Sequence, residues 1–153
     1  MKLVKDVNPY IFRGYDIRGV YPSEINEDVA YTIGRSYGSY IREHGKEKCV
    51  IGHDNRLSSD SLTEALIKGV RESGVDVVYL GLVTTPMYYY SWEKLQIPSG
   101  IMVTASHNPK DDNGFKFSFD ERGNAKGEMI QEFYRYTAAG KFQEGKGTLT
   151  EYN

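Results

Sequence analysis

The apolar residues of this chain change their period repeatedly, and that switching restricts the fold more than any other feature. From Asn26 to Glu43 the residues Val29, Ile33, Tyr37 and Ile41 recur every four positions, which predicts one buried face of a helix. Asn26 suits the N-cap, Glu27 and Asp28 suit the first turn, and Gly45 suits the end. Gly34 and Gly38 each lower intrinsic helicity by roughly 1 kcal/mol. Their spacing of four predicts that another backbone approaches closely along that face.

A short apolar run follows, Val50-Ile51-Gly52, ending in the polar loop His53-Asp54-Asn55-Arg56. Leu62, Leu66 and Val70 then mark a second helix, with Ser59 or Asp60 as its cap and Gly74 as its stop. Val75 to Leu80 reads as a strand, and Pro86 to Leu95 as a third helix with proline at its start. Ile101 to Val103 and Phe115 to Phe119 are two further strands. In the second, Phe115, Phe117 and Phe119 share one face while Lys116 and Ser118 share the other. Asp120 to Gly123 is a turn, and Glu128 to Ala139 a last helix. Alternating strands and helices imply a largely parallel sheet covered on both faces. Such sheets bind ligands beyond the carboxyl ends of their strands. Both the His53–Arg56 loop and the loop after Val103 belong there.

At 153 residues the chain suits one domain. Its net charge of −2 suggests neither a nucleic-acid surface nor a membrane-binding face. A single Cys49 allows no internal disulfide and fits a reducing cytoplasm; beside Val50 and Ile51 it reads as a buried thiol, not a nucleophile. Neither a transmembrane-length apolar stretch nor a signal-peptide pattern is present, so the expected location is cytoplasmic.

The segment Val103-Thr104-Ala105-Ser106-His107-Asn108-Pro109 carries the chemistry. A serine hydroxyl is a poor nucleophile; it needs an adjacent base, or must already carry the group it transfers. The first option would make a Ser-His hydrolase, but no G-x-S-x-G elbow and no orienting third residue can be assigned. The plain alternative is a strand-to-turn connection whose Ser and Asn satisfy the backbone. His53 and His107 with Asp111 or Asp112 match no familiar metal-ligand spacing. Gly140 to Lys146 has P-loop spacing, but Gly147 stands where Ser or Thr must bind magnesium, and a helix precedes it where a strand is needed. The tail from Gly140 to Asn153 reads as a linker.

The sequence TASHNP followed by Asn113-Gly114-Phe115-Lys116 closely resembles the phosphoserine loop of the α-D-phosphohexomutases. Phe12-Arg13-Gly14-Tyr15-Asp16-Ile17-Arg18-Gly19 resembles the N-terminal motif of their phosphomannomutase/phosphoglucomutase branch, and Gly52 to Arg56 resembles the family's GxDxR segment. The resemblance implies a three-layer α/β/α domain I over residues 1–140, with 141–153 leading toward a second domain. Its sheet would have four strands in the order 2-1-3-4, mostly parallel, the last antiparallel. Ser106 would be the phosphoserine, with Arg18, His107 and Lys116 in the catalytic group and Tyr15 touching substrate. His107 and Lys116 are alternative general acid/base residues. Arg18 is also able simply to pair with Asp16 or Asp54, and Lys116 to be a solvated strand residue. Asp54 and Arg56 are expected to brace one another and the neighbouring loop.

The implied activity is interconversion of hexose 1-phosphate and hexose 6-phosphate through a hexose 1,6-bisphosphate. Mg2+ would be held by the Ser106 phosphate together with aspartates of a DGDGDR-type loop, which this sequence does not contain. The remaining domains of the same polypeptide are thus implied partners, and the 153-residue chain by itself is expected to be inactive. Two alternatives stand beside this reading. One is a phosphoglucosamine mutase, whose corresponding start reads closer to FGTDGIRG; the other is a non-catalytic module that binds sugar phosphates.

Overall fold

A computed structural model describes residues 2–106 and 108–152. After a single 3-10 turn at Pro9–Ile11, the elements follow as β1 (Ile17–Val20), α1 (Glu27–Glu43), β2 (Lys48–His53), α2 (Ser59–Glu72), β3 (Asp76–Leu82), α3 (Thr85–Leu95), β4 (Gly100–Val103), β5 (Asp112–Ser118), α4 (Glu128–Ala139) and β6 (Leu149–Glu151). The ends of α1 follow from its sequence. The Asn26 side chain accepts a hydrogen bond from the Val29 amide at 2.9 Å, and Gly45 turns the chain away at φ +82°. At α2 the cap differs from expectation. Ser58 occupies the N-cap with no side-chain capping bond; its hydroxyl accepts from Asn113, and the Ser59 hydroxyl donates to Asp54.

The sheet corrects the expected fold. It has six strands in the order β1-β5-β4-β2-β3-β6, not four in the order 2-1-3-4. The pairings β2–β3, β2–β4 and β3–β6 are parallel; β1–β5 and β4–β5 are antiparallel. Both unforeseen strands lie at edges, where apolar periodicity carries little information. β1 is four residues long and includes Arg18 and Gly19, so it does not read as an apolar run. All three residues of β6 are exposed, and hydrogen bonds to β3 place it: Val77 N–H donates to the Thr148 carbonyl, Tyr152 N–H to that of Tyr79, and Thr148 N–H to the Asp76 carboxylate.

The two faces of the sheet are covered unequally. On one side, Cys49, Ile51, Val77, Ile101, Val103, Phe115 and Phe117 form a continuous core with Ile33, Tyr37 and Ile41 of α1, Leu62, Leu66 and Val70 of α2, and Ile130 and Phe133 of α4. On the other, Val50 and Met102 pack with Tyr88 of α3, and a smaller cluster results. Burial pushes the Cys49 thiol pKa up, which leaves it inert. The tail is anchored along the first face. Gly145 and Gly147 amides donate to the carbonyls of Glu72 and Arg71, and the buried Arg35 side chain reaches the Gln143 carbonyl. No strand enters the Gly140–Lys146 segment, as a P-loop would require.

Gly34 and Gly38 do admit a close neighbour, as their spacing predicts. A Cβ on Gly34 would run into the Leu66 carbonyl and, at 3.0 Å, the Val70 nitrogen; one on Gly69 would lie 2.8 Å from the Arg35 nitrogen. The helices α1 and α2 therefore touch backbone to backbone. Gly69→Ala is expected to destabilise the fold. Overpacking costs about 1–3 kcal/mol, which a helix-propensity gain of roughly 1 kcal/mol reduces. Gly14→Ala, with nothing within 4 Å of the added atom, should be near neutral. Urea midpoints of the two variants check this.

Candidate functional site: the Ser106 loop and its cavity

β4 ends at Val103 and β5 begins at Asp112, so residues 104–111 must reverse the chain at the carboxyl edge of the sheet. Local bonds shape the reversal. The Ser106 amide donates to Thr104 Oγ1 at 3.0 Å, the Asn108 amide to the Ala105 carbonyl at 3.1 Å, and the Asp112 amide to the Pro109 carbonyl at 2.9 Å. Ser106 itself adopts φ +56°, in the left-handed region. That conformation costs a residue with a Cβ roughly 1–2 kcal/mol, so surrounding structure has to hold it.

Arg56 provides the hold. Its Nη2 donates to the carbonyls of Ser106 (2.7 Å) and Asn108 (3.1 Å), and its Nη1 to those of Pro109 (2.7 Å) and Asp112 (3.2 Å). Its Nε donates to Asp54 Oδ2 at 3.1 Å. Asp54 is fixed in turn by the Ser59 hydroxyl at 2.6 Å and the Arg56 amide at 3.1 Å. The Asp54–Arg56 brace expected from the sequence is therefore present, and it reaches the serine loop. Asn113 adds a second tie: wholly buried, its Nδ2 donates to the hydroxyls of Ser58 (2.8 Å) and Ser59 (3.0 Å) at the start of α2.

Arg18 arrives from β1, whose register sets it opposite Gly114 on β5. Glycine is required there, since a Cβ would sit 2.8 Å from Arg18 Cα. The Arg18 guanidinium grips the buried Asp16, with Nε 3.0 Å from both carboxylate oxygens, and Nη1 donates to Asn108 Oδ1 at 2.6 Å. The Asp16 hydrogen bonds raise the Arg18 pKa against the opposing effect of burial, aided by the charges of Asp16 and Asp112. Of the two partners considered for Arg18, the structure selects Asp16.

A cavity of about 1360 Å3 opens beside the loop. Ser106 and Lys116 both line it; Lys116 lies opposite Met102 on the thinly covered face of the sheet. Thr84 and Thr85 at the start of α3, and Ser58 and Ser61 at the start of α2, also line it. Two helix N-termini thus open toward one space, and such ends favour negative charge. Leu57, Leu82 and Met87 form an exposed apolar rim. Arg18 and Tyr15 do not contribute to the lining: Arg18 reaches the loop through Asn108, and Tyr15 stands 73% exposed. His107 lies outside the described residues. Asn113 and the start of α3 were not assigned roles from sequence, although Thr84-Thr85-Pro86 directly after a strand is a legible helix start at a ligand-binding edge.

His53 serves the opposite face. Its Nδ1 donates to the Asp54 carbonyl at 2.8 Å; in the neutral ring Nε2 then accepts from the Tyr79 hydroxyl at 2.8 Å. Among the described residues, no group of three or more His, Cys, Asp or Glu side chains converges as a metal site.

Burial works to raise the Asp54 pKa, but hydrogen bonds from Ser59, Thr104 and the Arg56 amide, with the Arg56 charge, outweigh it and hold the pKa below the ordinary 3.8. A depressed carboxylate contributes its stabilisation above the unfolded value and loses it as pH falls through the lower folded one. Amide-exchange protection in residues 105–112 should therefore drop when pH is taken well below 3.8, before β2 loses its own protection. The Asp54→Asn loop should show that low protection already at neutral pH.

An α/β domain that presents a clamped serine loop at the carboxyl edge of its sheet, with a lysine in the adjoining cavity, defines the class. The description "Phosphoglucomutase/phosphomannomutase, alpha/beta/alpha domain I" matches residues 9–144. A phosphomannomutase/phosphoglucomutase of Pseudomonas syringae pv. tomato is 41% identical over 145 residues, covering 94% of this chain and 30% of that protein. A phosphoglucomutase of Neisseria gonorrhoeae is 39% identical over 143 residues, covering 92% and 31%. Among solved structures, a phosphoglucomutase/phosphomannomutase family protein from Burkholderia thailandensis superposes with a TM-score of 0.89 at 39% identity, covering 97% of this chain and 34% of that one. The chain belongs to the phosphoglucomutase/phosphomannomutase family, and spans about a third of the length of these relatives.

Proposed function

We propose that this chain is the serine-bearing domain of an enzyme that interconverts hexose 1-phosphate and hexose 6-phosphate. Ser106 and Lys116 lining one cavity at the carboxyl edge, in a chain of this family, is the observation that carries the reading. In the proposed first half-reaction, Ser106 begins phosphorylated. A sugar hydroxyl attacks the phosphorus, the bond from phosphorus to Ser106 Oγ breaks, and hexose 1,6-bisphosphate forms. The hydroxyl proton passes to a general base, and the departing serine oxygen takes up a proton. The second half-reaction reverses these steps with the other phosphate of the bisphosphate.

Phosphoryl transfer depends on positioning and on cations around the spreading negative charge. Lys116 has no ion-pair partner among the described residues and faces the cavity, which supports its place beside the phosphoryl group or as the acid/base. His107 is the other candidate for proton transfer. Arg18 acts through Asn108 on the loop, and Tyr15, exposed near the N-terminal motif, remains the proposed substrate contact. The side chains described here do not by themselves form a magnesium site, because magnesium demands near-octahedral oxygen coordination. Mg2+ belongs to the proposal only as shared between a phosphorylated Ser106 and carboxylates from other domains. In the same reading, residues 141–153 connect residues 1–140 to those domains. A cytoplasmic location accompanies this reading, and none of the described helices is long and apolar enough to cross a membrane.

Peptide mapping of the bisphosphate-treated enzyme that carries this chain should place phosphate on Ser106; phosphate on Ser58, Ser59 or Ser118 would sink the assignment. Lys116→Met is expected to lower kcat by roughly 10²–10⁴-fold, the range for loss of a positioned proton-transfer group, with an unchanged melting temperature. The 153-residue chain alone should show no turnover in a coupled assay with glucose 1-phosphate or mannose 1-phosphate. Turnover there that disappears in Ser106→Ala would show that this domain needs no others.

A further inference from the structure

An arginine lining a cavity built for phosphoryl groups invites assignment as a phosphate ligand, and Arg56 is such a residue. Its geometry excludes that role. A guanidinium has five N–H donors, and Arg56 uses all five within the protein: one on Asp54 and four on the carbonyls of Ser106, Asn108, Pro109 and Asp112. Its side chain is only 11% exposed. Nothing remains to donate to an incoming phosphate.

We propose that Arg56, held by Asp54, is a positioning residue that sets Ser106 for phosphoryl transfer, an inference that rests on the function proposed above. Two physical effects follow from the arrangement. First, the clamp holds the Ser106 carbonyl directly, so it fixes the left-handed backbone that decides where Oγ stands. Second, three carbonyl oxygens of the reversal and that of Asp112 at the start of β5 present a concentrated negative edge next to the place a phosphoryl group must occupy. Drawing them onto one cation turns that edge away from the serine and offsets its field. The Asp54 carboxylate keeps the cation in place, and the Ser59 hydroxyl keeps Asp54 in place. The clamp is thus assembled from the loop after β2 and acts on the loop after β4, the two parallel neighbours of the sheet.

The test compares Arg56→Ala, Arg56→Lys and the control Arg122→Ala in the enzyme that carries this chain. Arg122 also grips the aspartate two positions before it, Asp120, but lies outside the cavity lining and is 63% exposed. Arg56→Ala should lower kcat about 100-fold, the loss that a displacement near 1 Å causes, with KM for hexose 1-phosphate changed less than about threefold. Added guanidinium ion should restore part of kcat. Arg56→Lys should not, because an ammonium cannot reproduce a planar five-donor fork. The control should match wild type. A large rise in KM with kcat retained would make Arg56 a phosphate ligand and overturn the proposal. Loss of kcat without guanidinium rescue, with a lowered melting temperature, would reduce it to a stability role and overturn it equally.

A readout free of turnover separates this inference from the assigned function. Amide exchange of residues 105–112 in the purified chain should quicken at least tenfold in Arg56→Ala or, where that variant fails to fold, in Arg56→Lys, while β2 keeps its protection. Unchanged exchange overturns the clamp even if Ser106 is phosphorylated. If exchange quickens but wild type never carries phosphate on Ser106, the clamp stands and the mutase reading falls.

Discussion

The reversal between β4 and β5 is the constraint on which the site depends. Parallel neighbours need a crossover of a dozen or more residues, usually through a helix. Here β5 returns antiparallel beside β4 after residues 104–111 alone, so the serine loop is pinned between two paired strands. Lys116 and Arg18 both take their positions from that return. The register sets Val103 opposite Phe115 and Met102 opposite Lys116, sending the phenylalanine into the large core and the lysine toward the cavity. Because β5 is also the strand on which β1 pairs, the same return brings Arg18 within reach of Asn108.

Unequal covering of the two faces explains why the cavity is open on one side. Three helices bury one face, with α1 and α2 in backbone contact through Gly34 and Gly69. A single helix, α3, covers the other, and its first turn stops at the cavity's edge. Dense packing on the first face makes a rigid backing. The thinly covered face leaves room for Lys116 beside a ligand.

Charge in this region is organised by a short-range device. Asp16 with Arg18 and Asp54 with Arg56 each pair across one intervening residue. An arginine anchored by its own neighbour has lost much of its rotamer freedom before it meets anything else, so ordering it on a distant loop costs less. Both pairs then reach the Ser106 loop, one through the Asn108 side chain and the other through four carbonyls. Asp120 and the exposed Arg122 use the same local pairing away from the cavity, which shows that the pairing alone does not define the site.

The helices, the central strands and the serine loop were legible because each has a local cause. Asn26 caps α1, Gly74 stops α2 at φ +88°, and alternation along Phe115 to Ser118 sorts the two faces of β5. Ser106, Lys116 and Arg18 stand out for a different reason: the motifs that hold them resemble those of a known family. The extent of the sheet was not legible, and the expected four-stranded sheet became six. β1 and β6 are edge strands with no apolar pattern, and what places them is hydrogen bonding to β5 and β3. The role of Arg56 on the serine loop was equally a matter for tertiary structure. Sequence reveals the Asp54–Arg56 brace, two residues apart. Only the parallel pairing of β2 with β4 brings that brace to four carbonyls some fifty residues further on, because hydrogen-bond partners are chosen by distance in space and not along the chain.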